Sequence, residues 1–67
     1  MQVKINGQQQ TVDNNISVSN LLKILNYTDS QSIAVAINLE FIQRSNYSSV
    51  LIKEQDDIEI VTPMQGG

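Results

Sequence analysis

The sequence predicts one α+β domain: a mixed sheet of four to five strands with one main helix packed on one face. Three observations carry this expectation. An Asn6-Gly7 pair separates two short segments near the start, one stretch only shows apolar residues at helical spacing, and β-branched residues alternate with small or polar ones near 33–37 and 57–61. A lone helix between strand-rich halves must cover one face of a sheet that both halves share.

The elements follow in order. In "VKINGQQQTV", Val3 and Ile5 alternate with Gln2 and Lys4, and Asn6-Gly7 supplies the two positive-φ residues of a type I′ hairpin turn. Val12 continues the return strand, which ends near Asp13-Asn14-Asn15. Ser17 is an N-cap, and Val18, Leu21, Leu22 and Leu25 fall at i, i+3, i+4 and i+7, so 17–27 reads as a helix. Ile24 is expected to widen that stripe. Residues 26–32 are polar and read as a loop.

Ile33, Val35 and Ile37 alternate with Ala34 and Ala36, which suggests a strand covered on one face and partly on the other. Asn38-Leu39 turns the chain into a short strand containing Phe41 and Ile42. Residues 45–53 have no clear period; Tyr47, Val50, Leu51 and Ile52 are expected to pack. In the last strand Ile58 and Ile60 point one way, Glu59 and Val61 the other. To bury both ends of the chain, this strand must lie beside the first and parallel to it. That is the β-grasp arrangement of ubiquitin-like proteins, assigned to residues 1–62, with 63–67 as a flexible C-terminal tail.

Composition excludes most chemistry. A chain of 67 residues buries roughly 60% of its unfolded surface, leaving a thin core and no room for an enclosed substrate pocket. Cys, His and Trp are absent. The thiolate nucleophile, the disulfide framework and the commonest general base and metal ligand are therefore missing. Serines occur at 17, 19, 30, 32, 45, 48 and 49, but no sequence pattern sets Lys4, Lys23 or Lys53 beside one to activate it. The expectation is a protein that is not an enzyme. A net charge of −3 disfavours nucleic acid, and with no bilayer-spanning apolar run and no signal-like start the expected location is the cytoplasm, away from membranes.

Three places could carry function. Glu54, Asp56, Asp57 and Glu59 cluster before and within the last strand, but the spacing fits no calcium loop and reads as a solvated turn, so no metal is expected. Val61 and Met64 are either core residues or an exposed apolar patch for docking a partner. The third is the end itself, "TPMQGG". Pro63 has no N–H to continue a ladder, and Thr62 before it is pushed to extended geometry. Residues 63–67 reach about 16 Å at roughly 3.3 Å each. Gly66 and Gly67 have no side chains, so with Met64 and Gln65 they form a thread for a narrow channel. Its tip is an α-carboxylate, which becomes reactive once adenylation turns an oxygen into part of a good leaving group.

The segments "MQVKINGQ", "SVSNLLKIL", "IAVAINLEFIQR" and "DDIEIVTPMQGG" together resemble the ThiS family of thiamine-biosynthesis sulfur carrier proteins, from end to end. The resemblance implies a carrier whose Gly67 carboxylate is adenylated by a ThiF-like activating enzyme using ATP and magnesium, with no cofactor held permanently. A cysteine desulfurase or sulfurtransferase persulfide then supplies sulfur, leaving a thiocarboxylate on Gly67 that a ThiG-like thiazole synthase consumes. The family's usual Gly-Asp before the last strand is Asp56-Asp57 here, with a left-handed residue expected at the aspartate. Leu39 stands where Gly is frequent, Gln43 where Pro is, and Tyr47 where Trp is. Competing readings are the small subunit of molybdopterin synthase, a lysine-linked ubiquitin-like modifier, and a plain β-grasp binding module.

Overall fold

The computed structural model describes residues 1–27 and 33–62 of the chain. Strand β1 (Gln2–Ile5) turns through Asn6 (φ 52°) and Gly7 (φ 84°) into β2 (Gln8–Thr11), the two consecutive left-handed residues of a type I′ hairpin. Val12 lies just past β2 yet still pairs with Met1, whose ammonium donates to the Val12 carbonyl at 2.7 Å. Helix α1 (Val18–Ile24) starts at Ser17, whose Oγ accepts from the Asn20 amide at 3.1 Å. It stops at Asn26, which takes φ 68° while the Tyr27 amide reaches back to the Leu22 carbonyl at 2.9 Å.

Strand β3 (Ala34–Ile37) and β4 (Glu40–Ile42) form the second hairpin, and β5 (Asp57–Val61) closes the sheet in the order β2-β1-β5-β3-β4. β5 runs parallel to β1, with Ile5 opposite Ile58, and antiparallel to β3, with Ala34 opposite Val61. This is the expected β-grasp arrangement, a five-stranded mixed sheet with one helix on one face. A short 3-10 turn (Arg44–Asn46) leads into the irregular segment that crosses the helix start. There Val18 donates to Val50, Ser19 to Tyr47, and Ile52 to Ile16.

The core lies between helix and sheet. Val3, Ile5, Val35, Ile58 and Ile60 face Val18, Leu21 and Leu22, joined by Ile16, Ile33, Tyr47 and Ile52. Tyr47 is buried and its hydroxyl donates to the Ile33 carbonyl at 3.2 Å, so a polar atom in a thin core is satisfied.

Four expectations need correction. Ile24 does not widen the buried stripe: it is 57% exposed, because the core is met only by Val18, Leu21, Leu22 and, in part, Leu25. Leu51 is also half-exposed, since an isolated antiparallel bridge to Ser17 fixes the alternation and sends Ile52 inward. The left-handed residue before β5 is Gln55 (φ 71°), not Asp56. Asp56 is buried rather than part of a solvated turn; its Oδ2 accepts from the Lys53 amide at 2.8 Å and its Oδ1 from Asn38 Nδ2 at 3.1 Å. The expected loop lies outside the described residues from 28 to 32.

Candidate functional site

The four residues expected to carry or deliver the chemistry, Met64, Gln65, Gly66 and Gly67, lie outside the described residues, as do Pro63 and the expected boundary of a 63–67 tail. What the structure describes is the base from which they continue. β5 is the central strand of the sheet, paired on both sides, and its inward residues Ile58 and Ile60 belong to the core.

Both ends of that strand are clamped by asparagines in left-handed turns. At its start, Asn38 (φ 53°) donates through its amide N–H to the Asp57 carbonyl at 2.8 Å, and its Oδ1 accepts from the Asp57 amide at 3.0 Å. Toward its end, the Asn6 amide donates to the Ile58 carbonyl at 2.9 Å, and the Asn6 side chain stands in for a backbone acceptor one step further on. Asn6 Oδ1 accepts from the Ile60 amide at 2.8 Å. Short side chains that tolerate left-handed backbone and offer an acceptor suit both places.

Val61 is on the sheet face away from the helix and is 58% exposed, so it is a surface residue and not part of the core. The same face carries Asp57 and Glu59 from β5, Ala34 and Ala36 from β3, and Phe41 from β4, since Cα partners across a ladder share a face. Its β1–β2 half is polar, with Gln2 Nε2 donating to Thr11 Oγ1 at 2.7 Å and Gln9 Nε2 to Gln2 Oε1 at 3.2 Å. The face is therefore split: apolar toward β4, amide and hydroxyl toward β2, with the Asp57 and Glu59 carboxylates along the middle strand and Lys4 of β1 opposite Asp57.

On the opposite side, a groove of about 630 Å³ between α1 and the 3-10 turn is lined by Ser19, Lys23, Tyr27, Arg44 and Tyr47 among others. It brings Ser19 and Lys23 together one helical turn apart, a pairing that their i, i+4 spacing in the expected helix signals and that corrects the reading of no lysine beside a serine. No hydrogen bond joins their side chains among the described residues. Neither Glu54, Asp57 nor Glu59 is gathered with Asp56 into a metal-ligating group; among the described residues no cluster of three such side chains exists. No helix among them is long and apolar enough to cross a membrane.

Comparison with known proteins gives a consistent picture. A family model described as "ThiS family" matches residues 3–67. The whole chain is 36% identical over 67 residues to a thiazole synthase of Paramagnetospirillum magneticum, but spans only 20% of that protein's length. A protein designated ycf40 of Porphyra purpurea is 32% identical over 65 residues, covering 97% of this chain and 90% of its own. Among solved structures, the crystal structure of a thiamine biosynthesis protein (ThiS) from Geobacter metallireducens aligns with a TM-score of 0.85 at 29% identity, over 100% of both chains. The solution structure of a thiamine biosynthesis protein from the same organism gives the same TM-score and identity over 88% of its length.

Proposed function

The chain belongs to the ThiS family, and from that premise we propose that it is a sulfur carrier for the thiazole moiety of thiamine, with the carboxylate of Gly67 as the carrying group. It acts as a co-substrate of other enzymes and not as a catalyst. One observation supports this reading above the rest: a segment similar to this whole chain shares a polypeptide with the activity named in the thiazole synthase relative. A carrier and the enzyme that consumes its cargo profit from proximity, and covalent linkage is the limiting case of a high effective concentration.

The chemistry follows from the end group. A carboxylate oxygen of Gly67 attacks the α-phosphorus of ATP, bound with magnesium by a ThiF-like enzyme, and pyrophosphate leaves. A persulfide sulfur from a cysteine desulfurase or sulfurtransferase attacks the carbonyl carbon and displaces AMP. The C–S bond so formed gives an acyl disulfide; a second thiol attacks the donor cysteine's sulfur, breaking the persulfide's S–S bond, forming a disulfide with that cysteine and releasing the thiocarboxylate, which a ThiG-like thiazole synthase uses as its sulfur source. Gly66, Gln65 and Met64 thread the group into each enzyme, and Val61 and Met64 contribute the nearest apolar docking contacts. The clamped strand β5 supplies a fixed base for that thread, which limits the positional freedom lost on delivery. All of this chemistry uses cytoplasmic reagents, and we place the protein there.

Intact-mass measurement tests the reading. Incubation with ATP, magnesium, the activating enzyme and a persulfide donor should replace one oxygen by sulfur in the C-terminal peptide. Sulfur acquired equally by a chain lacking Gly67 would refute it.

A further inference from the structure

Asn6-Gly7 is the single place in the chain where asparagine precedes glycine; the other asparagines precede Asn15, Ile16, Leu21, Tyr27, Leu39 or Tyr47. The difference is chemical. The carbon of an asparagine side-chain amide can be attacked by the next backbone nitrogen, and a following residue without Cβ leaves that nitrogen unhindered. Asn6 and Gly7 are both exposed, and a Cβ placed on Gly7 would meet nothing within 4 Å, so the surrounding space is open too.

What restrains the reaction is the link to β5. Asn6 Oδ1 accepts from the Ile60 amide at 2.8 Å, and the Asn6 amide donates to the Ile58 carbonyl at 2.9 Å. The first bond holds Cγ toward β5. Attack by the Gly7 nitrogen requires the side chain to leave Ile60 and turn back on its own main chain. Because Asn6 is at the surface, that opening disturbs no core residue and belongs to the low-energy local fluctuations of a fold.

We propose that Asn6 is a site of spontaneous deamidation, and that its isoaspartate product detaches the end of β5 from β1. The Gly7 nitrogen attacks Asn6 Cγ and a C–N bond forms. The Gly7 amide proton passes to Nδ2, which leaves as ammonia, and a five-membered succinimide remains. Water then opens the ring, with no oxidation or reduction at any atom. Opening at Cγ gives aspartate on an unaltered main chain, with a carboxylate oxygen still available to the Ile60 amide. Opening at the α-carbonyl gives isoaspartate, whose main chain runs through Cβ and Cγ and is one atom longer.

A two-residue type I′ turn matches its flanking strands through one backbone geometry, which the extra atom destroys. The Asn6 bonds to Ile58 and Ile60 are lost with it. β5 then keeps β1 only through its first residues and relies beyond them on β3, where Ala34 stands opposite Val61. The modification acts on the strand that leads into the C-terminal residues, and it stands independently of the carrier reading.

Ageing the full chain in mildly alkaline buffer tests this. Peptide mass spectrometry should place the mass gain of deamidation at Asn6 ahead of every other asparagine, and an isoaspartate-specific methyltransferase should label the product. The chain unfolded in urea should react at least about fivefold faster, since the restraint is gone. The isoaspartate form, separated from the parent by its added negative charge, should keep a native circular dichroism spectrum but exchange its Ile60 amide at least about tenfold faster. Asn6→Asp, of the same mass and charge, should stay within about threefold of the parent. Absence of the mass gain at Asn6 in the folded chain would overturn the site, and equal rates in folded and unfolded chains would overturn the restraint by Ile60. An isoaspartate form that exchanges Ile60 like Asn6→Asp, or that loses the native spectrum, would overturn the local detachment.

Discussion

Asn6 and Ile60, 54 residues apart in sequence, are joined by a 2.8 Å hydrogen bond from the Ile60 amide to the asparagine Oδ1. The Asn6 amide still donates to the Ile58 carbonyl at 2.9 Å, and its side chain supplies the next acceptor of the parallel ladder, so β5 stays paired on its β1 side to within one residue of Val61. Asn6→Ala removes the acceptor and places alanine at φ 52°. It should cost about 2 kcal/mol in urea denaturation. Asn6→Asp keeps an acceptor and a tolerant backbone, and should recover most of that loss.

The β3–β4 turn gives a prediction of opposite sign. Leu39→Gly creates the Asn-Gly pair that a type I′ turn prefers and relieves a left-handed leucine. The urea midpoint should rise by the equivalent of about 1 kcal/mol, after allowing for glycine's greater unfolded-state freedom. An unchanged or lower midpoint would mean that the turn is not strained as described.

Asp56 offers a test of the buried carboxylate. Asp56→Ala leaves the Lys53 amide and the Asn38 side chain without their acceptor. A loss of about 1–3 kcal/mol is expected by chemical denaturation. Asp56→Asn retains one acceptor oxygen and should fall between the two.

At the end of the chain, function and stability should separate. Gly66→Val adds a branched side chain to the thread and lies beyond β5. On the proposed carrier reading it should abolish thiocarboxylate formation by intact mass while the thermal midpoint stays within about one degree of the parent; a larger drop would assign Gly66 a part in the fold.

Most of the architecture was legible because local signals and the global fold agree. Asn6-Gly7 marked the first hairpin, Val18, Leu21 and Leu22 marked the helix face, and the Ile58/Ile60 alternation marked the strand that closes the sheet. The misreadings share a cause. Whether Ile24 or Leu51 is buried depends on what lies across from it, and periodicity contains no information about the opposing surface. Asp56 looked like one more solvated acid because its role is to fold back on Lys53 and Asn38, 18 residues away, which no spacing rule reports. For the candidate site, Val61 was readable as one of two alternatives, and the structure selects the exposed one, while the tail glycines lie outside the described residues. The exposure of Leu39 and Phe41 was not, because it depends on a turn angle and on which sheet face stays open.

The strand order has a consequence for quality control. β5 is the last strand in sequence but lies in the middle of the sheet, between β1 and β3. Without it the two hairpins share no hydrogen-bonded edge, and Ile58 and Ile60 leave the core. A chain truncated or cleaved before residue 57 therefore cannot persist as a folded body that lacks its end. Loss of the strand that leads into the C-terminal residues is thus also loss of the fold, and such fragments are open to proteolytic clearance.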